Sequence, residues 1–322
     1  MTEAAVKIES ILMAMPLHIK KEIFGGLDLR NRSRVRKCCK TFLGVTDAMK
    51  LQYDRVLLSV YGGEIKMKVF EVIGGNHFRT DVTYQSDDFV EDAIRDLKIL
   101  FQNPRSEIKE FHVEIWMYFF SFEDEESERK WRFFNQMSQM LGSLGHRPKV
   151  NEFLMKHQGK QKQTLAILPF LEPGTLETLK IVNCSFENNH VLLKEIVELE
   201  HWKKAKTMVT GQLITAEKLE NFYHFESFCV EKWKIEVSDV ENVVENAFES
   251  PLSSLDWNVT HWGDQKPIID YLDSRGSPLE DLHYQKWKLM KGEKELTVTV
   301  CTTNVSNFIV GPGEKHRIIV RR

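Results

Sequence analysis

The feature that most restricts how this chain can fold is a recurring apolar pattern through its last two thirds. Apolar, two others, apolar, one other, apolar occurs at Ile108-Phe111-Val113, Val150-Phe153-Met155 and Leu176-Leu179-Ile181. It returns at Phe225-Phe228-Val230, Leu252-Leu255-Trp257 and Leu279-Leu282-Tyr284, with a weaker copy at Ala205-Met208-Thr210. Successive starts lie 42, 26, 29, 20, 27 and 27 residues apart. Most of these intervals fall near the roughly 20–29-residue period of units that pair one short strand with one helix.

Helix-like stretches separate the strand motifs, among them "NNHVLLKEIVELEHWKKA" and "SDVENVVENAF". In the second, Ser238 reads as an N-cap and Glu241 completes a capping box. The pattern predicts an α/β fold, α+β overall: a leucine-rich-repeat-like, curved, mainly parallel sheet backed by helices. Each unit buries its apolar face by stacking on its neighbours. The long first interval holds "FEDEESERKWRFFNQMSQMLGSL", read as an acidic loop leading into an amphipathic helix. The chain closes with "ELTVTVCTTNVSNFIV", read as two strands, then a Gly311-Pro312-Gly313 turn and a last strand "HRIIV".

The N-terminal part has a different texture. Pro16 suits a first helical turn. Ile19, Ile23, Phe24 and Leu27 then share one helical face, and Gly25-Gly26 loosen its end. Asp28 is placed to cap a second helix. Val35, Cys38, Cys39, Phe42 and Val45 line one side of that helix, with six basic residues from Arg30 to Lys40 around the rest. From Tyr53 the chain alternates, with Gly62-Gly63 and Gly74-Gly75 as turn signals, which predicts a three-stranded antiparallel meander. Three segments follow: helices over 8–52, a strand meander or linker over 53–85, and the repeat domain over 86–322.

Composition narrows the function. A net charge of −3 with pI near 6.4 argues against a nucleic-acid binder. No apolar run is long enough to cross a bilayer, and "MTEAAVKIESILMAM" does not read as a secretory signal. Five irregularly spaced cysteines suit a reduced intracellular chain, cytoplasmic and/or nuclear. No spacing of His and Cys suggests zinc, and no phosphate loop or nucleophile elbow is present. The Cys38-Cys39 pair reads as buried helix-face residues. The basic run reads as a solvated face, or as the complement of an acidic protein. Neither a cofactor nor a catalytic constellation is expected; the remaining enzymatic alternative is a degenerate hydrolase using Cys184 or Cys229.

About fifty helical residues cannot bury their own apolar surface. Either the helices dock on another protein, or they cap the downstream domain. Here the sequence resembles a family. "MPLHIKKEIFGGLDLRNRSRVRKCCKTF" is similar to an F-box, with Met15-Pro16 at its Leu-Pro-like start, Ile23-Phe24, Leu27-Asp28 and Cys38-Cys39-Lys40 before Phe42. "LPFLEPGTLETLKI", "IVELEHWKKAK" and "NFYHFESFCVE" resemble the FTH (DUF38) domain of the nematode F-box A family.

The resemblance implies a non-catalytic substrate receptor of an SCF-type E3 ubiquitin ligase, in the Ubl conjugation pathway. Its F-box would bind a Skp1-like adaptor, and through it a cullin. The repeat domain would bind an unknown protein target. The alternative is an adaptor-independent scaffold. Met15, Pro16, Ile19, Ile23, Leu27, Val35, Cys39 and Phe42 match the F-box apolar positions and are the expected adaptor contacts. Positions flanking the buried strand residues should face the open side of the sheet. His112, Glu114, Lys156, Lys180, Glu231, Asp256, Asn258, His283 and Gln285 are therefore the expected target contacts.

Overall fold

The computed structural model describes residues 11–61, 63–116, 124–157, 161–183, 193–213, 218–251, 254–261, 266–279, 285–305 and 313–321. The chain divides into two compact units. The first comprises residues 1–153 and 166–175, the second 154–165 and 176–322.

The first unit begins with helices α1 (Leu17–Gly25), α2 (Leu29–Cys38) and α3 (Lys40–Asp47). Asp28 caps α2, its Oδ1 accepting from the Asn31 amide at 2.8 Å. The second predicted helix is in fact two, because Cys39 takes an extended conformation (φ −161°, ψ 164°) between α2 and α3. The break resets the helical phase and lets Phe42 and Val45 join Phe24 and Met49 in one small core. Cys38, expected inside, is exposed, because it ends α2 where the chain turns away.

Strands β1 (Gln52–Val60), β2 (Ile65–Ile73) and β3 (Asn76–Tyr84) form the antiparallel meander. Gly74 and Gly75 turn β2 into β3 with φ of +57° and +82°. Only glycine adopts two successive left-handed residues without steric cost, and this is the turn whose twist matches a hairpin. Helix α4 (Phe89–Phe101) then leads to β4 (Glu107–Ile115), which runs parallel to β1. Helix α5 (Asp124–Gly142) takes in most of the acidic run expected as a loop. Acidic side chains complement the positive end of a helix, so they favour its first turns. Strand β5 (Lys149–His157) is divided between the units after Phe153. Phe101, Phe111 and Phe153 form a ring-to-ring path through this core, with centroids 5.2 and 5.8 Å apart.

In the second unit, β6 (Thr178–Asn183), β7 (Thr207–Leu213), β8 (Ser227–Lys234) and β9 (Ser254–His261) are parallel neighbours. Leu176, Leu179 and Ile181, then Ala205, Met208 and Thr210, then Phe225, Phe228 and Val230 are all buried. Each repeat motif thus supplies the inner face of one strand, as alternation with an offset first residue requires. Helix α6 (Gln161–Leu165) is one short turn. The long helix expected around residues 188–205 is, over its described part, turns from 194 to 198 followed by the five-residue α7 (Glu200–Lys204). The indole of Trp202 stacks edge-on against Phe222 and Phe225, and its Nε1–H donates to the Asn221 carbonyl at 2.9 Å. Helix α8 (Val237–Glu249) starts before the predicted cap. Asp239 Oδ2 accepts from the Glu236 amide at 3.0 Å, so these two residues, not Ser238 and Glu241, form the box.

Beyond β9 the sheet is antiparallel, which departs from the expected repeat. After α9 (Lys266–Arg275) come β10 (Gly276–Leu279), β11 (Gln285–Lys291), β12 (Lys294–Val305) and β13 (Gly313–Arg321), in the order β10-β11-β12-β13-β9. Leu279, expected to open a seventh buried motif, is exposed on β10. "ELTVTVCTTNV" together with Lys294 forms one twelve-residue strand, with Leu296, Val298 and Val300 in inward alternation, while "SNFIV" of the expected second strand lies outside the described residues. The Gly311-Pro312 turn lies outside the described residues.

Candidate functional site

Two surfaces of the first unit carry exposed chemistry. The first is built by α1 to α3. Phe24 and Phe42 meet edge-to-face at 5.2 Å, with Val45 and Met49 completing the core and Leu12, Leu27, Val35, Cys39 and Leu51 packed against it. In α1 the inward side is held by Phe24 and by Lys20, whose Nζ donates to the Met13 carbonyl at 2.7 Å. Ile23 consequently faces out. Among the described residues, four of the eight exposed large apolar side chains fall within residues 11–23: Ile11, Met13, Leu17 and Ile23. Leu17 is 56% exposed and Ile23 39%.

The expected adaptor contacts therefore separate. Pro16 and Ile23 are exposed, and Met15 and Ile19 are half-buried. Leu27, Val35 and Cys39 are half-buried against the small core. Phe42 is 2% exposed and belongs to that core, so its ring stabilises the helices rather than presenting itself to a partner. Ile11, Met13 and Leu17 were not among the expected contacts. Their signal was an apolar run on both sides of Pro16 that no inward face could absorb.

Of the basic residues, Arg30, Arg34, Lys37 and Lys40 are exposed, and Arg36 Nε donates to Asp47 Oδ1 at 2.8 Å. Arg32 departs from the expected solvated face. It is buried and ion-paired with Glu71 of β2. Glu71 Oε2 also accepts from the Leu29 amide at 2.8 Å, and an Arg32 terminal N–H is donated to the Leu27 carbonyl.

The second surface is the side of the β3-β2-β1-β4 sheet opposite Phe111 and Val113. Arg79, Phe70, Arg55 and Glu110 are register neighbours on four adjacent strands. The two guanidinium groups lie 5.7 and 5.8 Å from the Phe70 ring centre. Arg55 Nε donates to Glu110 Oε2 at 2.6 Å, which holds Arg55 above its ordinary range. Beyond Glu110, His112 Nε2 lies 3.6 Å from Glu110 Oε2 and 3.3 Å from Glu152 Oε1. Glu114 accepts from the Trp116 indole N–H at 3.1 Å.

Of the expected target contacts, His112 and Glu114 thus share one face of β4, while Glu110, Glu152 and Arg55 around them were missed. The repeat itself carried that signal. Glu110 and Glu152 are both the third residue of their motifs, counted from Ile108 and Val150. In the second unit, Lys156 and Lys180 are half-buried and Gln285 is exposed. Glu231 and Asn258 are register partners on β8 and β9, and Asp256 pairs with Cys229. The side chains of Glu231, Asp256 and Asn258, and the whole of His283, lie outside the described residues. Cys229 is half-buried on β8, and Cys184 is not described.

No curated protein and no solved structure matches the chain. The FTH domain family model matches residues 131–253, from within α5 through α8. That stretch, which carries buried repeat motifs and the helices between them, is what the chain has in common with FTH domains.

Proposed function

We propose that this protein is the substrate-recognition subunit of an SCF-type ubiquitin ligase, binding a Skp1-like adaptor through α1 to α3 and a protein target through the repeat domain. The observation that supports it is the concentration of exposed apolar side chains at Ile11, Met13, Leu17 and Ile23, beside the small helical core of Phe24, Phe42, Val45 and Met49. Covering one such side chain is worth about 1.5–3 kcal/mol, so a partner that filled this face would gain substantial affinity. The exposed Arg30, Arg34, Lys37 and Lys40 suit an acidic partner. The FTH domain is consistent with an F-box-associated protein. In this reading the chain performs no chemistry. It holds a target close to a ubiquitin-charged enzyme and contributes proximity and orientation.

A second reading has one observation in its favour. The buried Arg32–Glu71 pair ties α2 to the meander, as a built-in cap of an adaptor-independent scaffold would require. Co-expression with a Skp1-type adaptor separates the two. Stable co-elution, lost in a Leu17→Ser/Ile23→Ser variant that stays folded, supports the ligase subunit. Absence of co-elution for the wild-type chain leaves the scaffold.

A further inference from the structure

We propose that Glu110, His112 and Glu152 form a binding site for a zinc-like divalent cation on the open face of the first unit's sheet. The inference is independent of the adaptor reading, since it concerns different elements and a different chemistry.

The three donor atoms converge, and within the trio His112 Nε2 and Glu152 Oε1 form a long hydrogen bond. One imidazole nitrogen, Nε2, faces two carboxylates at once, at 3.3 and 3.6 Å. A single N–H can satisfy one of them, and good N–H···O contacts are about 2.7–3.2 Å long. Zinc binds imidazole and carboxylate at about 2.0–2.2 Å in tetrahedral sites, which places neighbouring donors about 3.3–3.5 Å apart. The two nitrogen–oxygen separations lie close to that edge. All three donor atoms are within 4.8 Å of one another.

The backbone supplies the positioning. Glu110 and His112 are two residues apart on β4, so they share a face, and Glu152 occupies the equivalent repeat position on β5. All three are half-buried, which limits competition from water and from side-chain entropy. Arg55 holds Glu110 through its 2.6 Å hydrogen bond, in the manner of the outer partners that orient metal-binding carboxylates. One nitrogen and two carboxylates suit zinc and its first-row neighbours. Calcium asks for six to eight oxygens, and magnesium for octahedral oxygen ligation. Three protein ligands leave a position for water or for a donor from a bound protein.

The test uses the full chain with Cys38→Ser and Cys39→Ser, so that these two thiols do not contribute. Zinc chloride is titrated against a chromophoric chelator. One equivalent should bind, with affinity falling roughly tenfold or more in His112→Ala and in the isosteric Glu152→Gln. Cobalt(II) should give a visible absorption band that both variants lose, and magnesium should not compete. If His112→Ala fails to fold, Glu152→Gln decides by the same criterion. Zinc affinity in Glu152→Gln equal to that of the parent protein, or no zinc bound by the parent at all, overturns the proposal.

Discussion

Arg32 and Glu71, thirty-nine residues apart, are paired in the interior, where each side chain is almost wholly removed from solvent. The pair joins helix α2 to strand β2, and Glu71 also accepts the Leu29 amide. Glu71→Ala would leave both a buried guanidinium and a backbone N–H without their acceptor. Breaking a buried pair from one side costs about 3–5 kcal/mol. Urea unfolding should show a loss of that order for Glu71→Ala, and a smaller one for Arg32→Leu/Glu71→Leu, in which no charge is stranded.

The N-terminal helices should respond oppositely to changes on their two faces. Phe42→Ala empties the space against Phe24, Val45 and Met49 and should cost about 3–5 kcal/mol. Leu17→Ser/Ile23→Ser alters exposed positions and should stay within about 0.5 kcal/mol per site of wild type. Only the second variant separates adaptor binding from folding, measured as co-elution beside the urea midpoint.

Alkaline pH should destabilise the protein through its buried tyrosines. Burial pushes the Tyr53 and Tyr84 hydroxyls up, and Tyr84 also donates to Asp96 Oδ2 at 3.0 Å. Burial, then Glu220 and Asp239, push Tyr223 up to about 12. A raised folded value means that the neutral phenol is favoured in the native state. That stability is fully present below the unfolded value of about 10 and is lost as pH rises through the folded values. Absorbance titration should show a late-ionising group of tyrosines, with the urea midpoint falling from pH 10 upward.

Tyr223 carries a second consequence. Its buried hydroxyl has no hydrogen-bond partner among the described residues. Tyr223→Phe removes an unsatisfied polar atom while keeping the ring, so it should be neutral or stabilise by up to about 1 kcal/mol. It should also remove part of the alkaline loss, which urea titration at pH 8 and pH 11 would reveal.

The hairpin at Gly74-Gly75 offers a backbone test. A Cβ at Gly75 meets no neighbour, yet its φ of +82° is strained for any side chain. Gly75→Ala should therefore cost about 1–2 kcal/mol from conformation alone, seen as a lower thermal midpoint with unchanged circular dichroism.

What the sequence determined by itself was local and periodic. The offset apolar triplets place one strand face each in the interior, from Ile108 to Val230, because side-chain direction along a strand follows from backbone geometry. The meander after Tyr53 and the Asp28 cap were legible for the same reason. Tertiary structure alone decided what depends on residues meeting across long separations. It turned Arg32 inward to Glu71, broke the second helix at Cys39 so that Phe42 could reach Phe24, left Ile23 and Leu17 outside, and made the strands after β9 antiparallel. It also brought Glu152 to His112, forty residues away. An apolar or charged residue carries its preference for water in its own chemistry, but whether that preference is met depends on which distant element covers it, and that is settled only when the chain has packed.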